Sequence, residues 1–120
     1  MEGVTMEIST RKEGNAVIVS LNGRMDAVSS PEFEKEMGNL MGQGENTFVV
    51  EFSELDYISS AGLRSILATA KKLKERKGHF LLSSFKDVVK EVFEISGFST
   101  ILPIFQSVES ALDQISSAKP

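Results

Sequence analysis

The residues of this chain best suited to chemistry lie together in Leu55-Asp56-Tyr57-Ile58-Ser59-Ser60-Ala61-Gly62-Leu63. Two adjacent hydroxyls, Ser59 and Ser60, precede a run of helical spacing, and a glycine stands where its first turn should be. Two chemistries suit that pattern. A serine at a helix start can accept a hydrogen bond from a free backbone N–H, a cap that stabilises by about 1 kcal/mol relative to alanine. Phosphorylated, the same hydroxyl places an anion at the positive end of the helix dipole, beside unpaired N–H groups, where the fold tolerates it. A group of about −1.5 to −2 charge on an exposed surface blocks a partner by repulsion and desolvation while the domain stays folded. That is a binding switch rather than a folding switch. Gly62 is the oddity: within a helix glycine costs about 1 kcal/mol against alanine, so something here requires close backbone approach or a bare surface.

Other chemistry is sparse. The chain has no cysteine and one histidine, which removes disulfides, thiolate metal sites and most histidine-based catalysis. His79 follows Gly78 at the start of an expected strand and reads as structural. Gly42-Gln43-Gly44 follows a helix instead of joining a strand to a helix, so it lacks the context of a phosphate-binding loop. Asp26, Glu54 and Asp56 could approach one another near loop ends, but carboxylates without a pocket make no catalytic site. The expectation is a protein that is not an enzyme and carries no cofactor and no metal.

The elements that must position these residues follow from periodicity. Met6-Glu7-Ile8 opens a strand, Glu13-Gly14-Asn15 turns, and Ala16 to Leu21 returns with Val17, Val19 and Leu21 on one face, forming an opening β-hairpin. The chain turns after Gly23. Ser29-Ser30-Pro31-Glu32 then supplies a capping hydroxyl, a first-turn proline and an acid near the positive helix end. A helix follows to about Met41, buried through Phe33, Met37, Leu40 and Met41 and stopped by Gly42 and Gly44. Thr47 to Phe52 is a strand apolar on both faces, hence mid-sheet. A second helix from about Ser60 turns Leu63, Ile66, Leu67, Ala70 and Leu73 inward and Arg64, Lys71, Lys72 and Glu75 outward, and Gly78 ends it.

His79 to Ser83 is the next strand. A third helix from Phe85 or Lys86 to Ser96 is buried through Val88, Val89, Val92 and Phe93, with Gly97 as its left-handed cap. Ile101 to Phe105 is a last strand, and Ser107 caps a final helix carrying Val108, Ala111, Leu112 and Ile115 inward, with residues 116–120 as a frayed tail. The order β-β-α-β-α-β-α-β-α predicts an α/β fold with right-handed crossovers and a mostly parallel, mixed sheet, its helices on one face or both. The segment from Leu55 to Leu63 then leaves the carboxyl end of a central strand, where open α/β sheets receive ligands and partners.

With 120 residues, 41% hydrophobic and 25% charged, the chain suits one domain spanning 1–120. The net charge of −4 makes nucleic acid a poor partner. The short basic stretch Lys71 to Lys77 reads as the solvated face and negative end of the second helix. No apolar run approaches the roughly 20 residues that span a bilayer, and Met1-Glu2-Gly3-Val4 lacks a signal-peptide pattern. The expectation is a soluble cytoplasmic protein, monomeric by default, without direct membrane insertion.

These residues resemble the STAS domain, specifically the bacterial anti-sigma-factor antagonists. The element order matches along essentially the whole chain. Gly23-Arg24-Met25-Asp26 resembles the family's G-x-[LM]-D after the second strand, and Tyr57 to Leu63 resembles its phosphoacceptor signature, D-S-[ST]-G-L. Aligned on Gly62-Leu63, the family's phosphorylated serine falls on Ser60 and the residue after it on Ala61. Ser59 stands where the signature has an acid, which leaves two adjacent hydroxyls, Ser60 first and Ser59 second.

The resemblance implies a partner-switching regulator. Unphosphorylated, it would bind an anti-sigma factor that is also a serine kinase and so free the sigma factor; the kinase would inactivate it, and a PP2C-type phosphatase would restore it. The partner surface would comprise Asp26, Asp56, Ile58, Ser59, Ala61, Gly62 and Arg64. The alternative is a STAS regulatory subunit of a transport or sensory assembly, as in the modules attached to anion transporters and lipid-transport ATPases.

Overall fold

Alternating apolar side chains set the first two strands. In the computed structural model, which describes residues 6–117, β1 (Met6–Glu13) and β2 (Ala16–Met25) pair antiparallel from Met6↔Gly23 to Glu13↔Ala16. The chain continues through α1 (Ser30–Gly42), β3 (Thr47–Ile58), α2 (Ser60–Glu75), β4 (His79–Ser83), α3 (Asp87–Ile95), β5 (Ile104–Phe105) and α4 (Val108–Ser117), with a short 3-10 turn at Phe98–Thr100. The signal-peptide reading of Met1 to Val4 and the expected tail at 118–120 lie outside the described residues. None of the described helices is long and apolar enough to cross a membrane.

The sheet order is β1-β2-β3-β4-β5, with every pair after the hairpin parallel. Each crossover from β2 onward steps to the next strand in one direction, so right-handed connections bring α1, α2 and α3 to the same face. The core follows that division. Val17, Val19, Leu21, Phe48, Val50 and Phe52 pack with Phe33 and Met37 of α1, Ile66 and Leu73 of α2 and Phe93 of α3. On the other face Ala16, Ile18, Val49 and Leu81 pack under Val108 and Ala111 of α4. The expected two-sided, mid-sheet character of the strand at Thr47 to Phe52 is thus present, and helices cover both faces.

Several boundaries differ from expectation. β2 does not turn after Gly23 but runs on to Met25, and β3 runs to Ile58 instead of ending at Phe52. Their pairing slips from Ser20↔Glu51 to Asn22↔Glu54 and from Gly23↔Leu55 to Arg24↔Tyr57, each step placing one extra residue in β3. The buried residues Phe52, Leu55 and Ile58 are therefore three apart, which erases the two-residue period while the strand continues. In α3, Val89 and Phe93 are buried but Val88 is 61% exposed. Ile101 lies after the 3-10 turn, 60% exposed, so the last strand is only Ile104–Phe105. α4 runs to Ser117, so Ser116 and Ser117 lie in its last turn. Gly78 follows α2, but the left-handed residue there is Lys77, at φ 60°. Gly78 is required for closeness, since a Cβ on it would lie 2.3 Å from the Asn46 carbonyl oxygen.

Candidate functional site

The residues expected to form the site lie at or just beyond the carboxyl ends of β2 and β3, whose last pair is Met25↔Ile58. The Ser59 N–H donates to the Met25 carbonyl at 2.9 Å, so α2 is launched directly from the end of the sheet. Asp56, Tyr57 and Ile58, expected in a loop, are strand residues. Gly62 is buried in the first turn of α2, and a Cβ there would meet Ile58 Cγ1 at 2.7 Å and the Met25 carbonyl oxygen at 3.0 Å. Close backbone approach is therefore the reason for the glycine.

The two hydroxyls differ in what holds them. Ser59 is extended, at φ −95° and ψ 176°, and its Oγ accepts the Gly62 N–H at 3.3 Å as the N-cap of α2. Its carbonyl accepts the Leu63 N–H at 2.9 Å. Ser60 is the first helical residue; it is exposed, and its hydroxyl forms no hydrogen bond among the described residues. Ala61 is half-buried. Arg64, one turn further on, is exposed and forms no ion pair among the described residues.

Beside this helix start, the segment after β2 is knotted by hydrogen bonds. Asp26 Oδ1 accepts the N–H groups of Val28 at 3.0 Å and Ser29 at 3.1 Å, with Ser29 Oγ at 3.2 Å. The Ser29 backbone N–H is the largest influence holding the Asp26 carboxyl below its ordinary pKa; desolvation opposes it, and Val28, the Ser29 hydroxyl and Arg24 act in the same downward direction. Ser29 Oγ accepts the Asp26 N–H at 2.9 Å and lies 2.9 Å from the Arg24 carbonyl oxygen. That corrects the expected capping role: the Ser29 hydroxyl serves the turn and makes no cap bond to α1. Ser30 Oγ donates to the Asp26 carbonyl at 2.6 Å. Val28 stands at the tip, 75% exposed.

Of the residues singled out from sequence, Ile58 and Gly62 are buried and contribute packing rather than exposed surface. Asp56 is exposed but ion-pairs with Lys86 at the start of α3, and that hydrogen bond is the main cause of the raised pKa of Lys86. Asp26 and Asp56 are thus committed to different partners, and among the described residues no acidic or histidine cluster could hold a metal. His79 is exposed at the start of β4, the opposite end of that strand from the Ser83 end. Sequence reasoning missed Arg24 and Tyr57. The Arg24 guanidinium lies 4.1 Å from the centre of the Tyr57 ring, a cation–π contact between partners in register. Only the two bulges in β3 bring them opposite each other, so no spacing in the sequence marked them. The ensemble has no paired nucleophile and base; what it presents is an exposed hydroxyl within a polar and partly apolar surface.

Comparison with known proteins adds the lineage. A model of the STAS domain matches residues 7–111. A Bordetella bronchiseptica protein assigned as the anti-sigma factor antagonist BtrV is 37% identical over 115 residues, covering 96% of this chain and 99% of that one. The unphosphorylated anti-sigma factor antagonist SpoIIAA superposes with a TM-score of 0.80 at 20% identity, over 95% of this chain and 100% of its own. The phosphorylated form of the Bacillus cell fate determinant SpoIIAA superposes with a TM-score of 0.71 at 20% identity, over 91% and 99%.

Proposed function

The chain belongs to the STAS domain family, and on that premise we propose that it is an anti-sigma factor antagonist switched by phosphorylation of Ser60. The unphosphorylated protein binds an anti-sigma factor that is also a serine kinase, and so frees the sigma factor. The kinase phosphorylates Ser60 and is released; a PP2C-type phosphatase resets the cycle. In this reading the chain is ligand and substrate, not enzyme. Its relative BtrV is named for the same antagonist role along nearly its whole length, and SpoIIAA, of the same fold, is known in unphosphorylated and phosphorylated forms.

The observation that carries the choice of residue is the contrast within the serine pair: Ser59 is held in the α2 cap, whereas Ser60 is exposed and unbonded. A kinase can reach Ser60 without undoing a cap. The partner surface comprises the Asp26 turn with Val28, the Ser60 to Ala61 helix start, and Arg64. Asp26, held ionised by its turn, already gives this surface a negative charge; a phosphate on Ser60 adds about −1.5 to −2 more. The first-turn N–H groups and the helix dipole accommodate that phosphate, so the domain stays folded while the partner is repelled.

The test is binding to the anti-sigma factor with and without ATP. Ser60→Ala should bind and resist release, Ser59→Ala should bind and still be released, and Ser60→Asp should bind weakly. A folded Ser60→Asp that bound as tightly as wild type would refute the switch.

A further inference from the structure

The opposite end of α2 carries a second surface that the antagonist reading leaves unused. Lys71, Lys74 and Lys77 line a groove of about 480 Å³ whose apolar part includes Leu67, Ala70, Phe80, Ile101 and Leu102. The helix dipole favours cations near a helix end, but it accounts neither for the apolar groove beside them nor for Ile101, which is 60% exposed at its edge. None of the three lysines forms an ion pair among the described residues. On a chain of net charge −4, this is a local concentration of the opposite sign.

We propose that this groove docks an acidic amphipathic segment of a partner protein, its apolar side chains in the groove and its carboxylates along the lysines. The spacing argues for a segment over a small amphiphile. Lys71 and Lys74 lie on α2, separated by about 4.5 Å of helical rise, and Lys77 follows just past its end, so three separate charges border the groove and match several carboxylates, whereas a single head group would engage one of them. The groove's first residue, Leu67, lies about 10 Å along α2 from Ser60 and its first lysine, Lys71, about 16 Å, both beyond the roughly 8 Å over which charge acts at physiological salt. Occupancy is therefore independent of phosphorylation, and one partner can stay docked here while another cycles at Ser60.

The probe is a synthetic peptide of about 18 residues with leucine and glutamate at helical spacing, titrated into the full ¹⁵N-labelled chain. Controls are the same peptide with lysine replacing glutamate, and decanoate. Saturable shifts at the amides of Leu67, Ala70, Ile101 and Leu102 are expected with the acidic peptide alone. The double variant Lys71→Glu with Lys74→Glu should weaken binding about tenfold. Ile101→Ala should also weaken it, and Ser60→Asp should leave it unchanged. The spectra away from the groove report that each variant is folded. Absence of saturable shifts, or equal binding by the lysine variants or by the basic peptide, overturns the proposal. Binding of decanoate without the peptide replaces it with a small-ligand site, and loss of binding in Ser60→Asp overturns the independence from the switch.

Discussion

The chain contains the pair Ser-Ser at the head of two successive helices, and the two pairs behave oppositely. Ser29 and Ser30 at the start of α1 are each 3% exposed, and both hydroxyls are bonded to backbone around Asp26. At the start of α2, Ser59 is half-buried as a cap while Ser60 faces solvent without a bond among the described residues. Residue type and position after a strand are shared; burial and hydrogen bonding differ. In α1 the helix head is recessed behind the Asp26 turn, which consumes both hydroxyls. In α2 the strand enters the helix directly, so one hydroxyl is used and the next points outward. The exposure of each hydroxyl is set by how its strand joins its helix.

The sharpest way to break this contrast is to disturb the junction that produces it. Gly62→Val places side-chain atoms where Ile58 Cγ1 and the Met25 carbonyl already lie, and should cost about 3 kcal/mol in urea unfolding. Next comes the recessed pair. Ser29→Ala leaves the half-buried Asp26 N–H without its acceptor and should cost about 1.5 kcal/mol. It should also raise the Asp26 midpoint in a carboxyl NMR titration, because its hydroxyl helps hold that pKa down. The sign follows: a folded-state pKa below the unfolded one contributes stability above the unfolded value, and that stability is lost as pH falls through the folded value. Wild type should therefore lose this contribution in strong acid, and Ser29→Ala should have less of it to lose. The smallest effects separate the exposed pair. Ser59→Ala removes a long cap bond and should cost about 1 kcal/mol, whereas Ser60→Ala should stay within about 0.5 kcal/mol of wild type in the same unfolding measurement.

Much of this was legible in the sequence because the relevant signals are local. Val17, Val19 and Leu21 alternate cleanly, and the order of strands and helices follows from such runs; β4 spans His79–Ser83 as expected. The end of β3 was not legible, since its two bulges set Phe52, Leu55 and Ile58 at intervals of three, a spacing that signals no strand. For the same reason the Arg24 and Tyr57 contact was invisible. Val88 has the helical spacing of a core residue yet is exposed, because α3 is short and buries only a narrow stripe through Val89 and Phe93. The serine pair itself was visible, as was the demand for glycine at position 62. Which hydroxyl is free depends on the junction with Met25, a contact between residues far apart in sequence.

The most direct measurement is site-resolved phosphopeptide mass spectrometry on the protein recovered from its own cells, with wild type beside Ser59→Ala and Ser60→Ala. The expected result is phosphate on Ser60 that varies with growth condition, persists in Ser59→Ala and is absent from Ser60→Ala, with Ser29 and Ser30 unmodified throughout. Phosphate on Ser59 in the wild type, or phosphate retained by Ser60→Ala, would contradict the assignment of Ser60 as the switch.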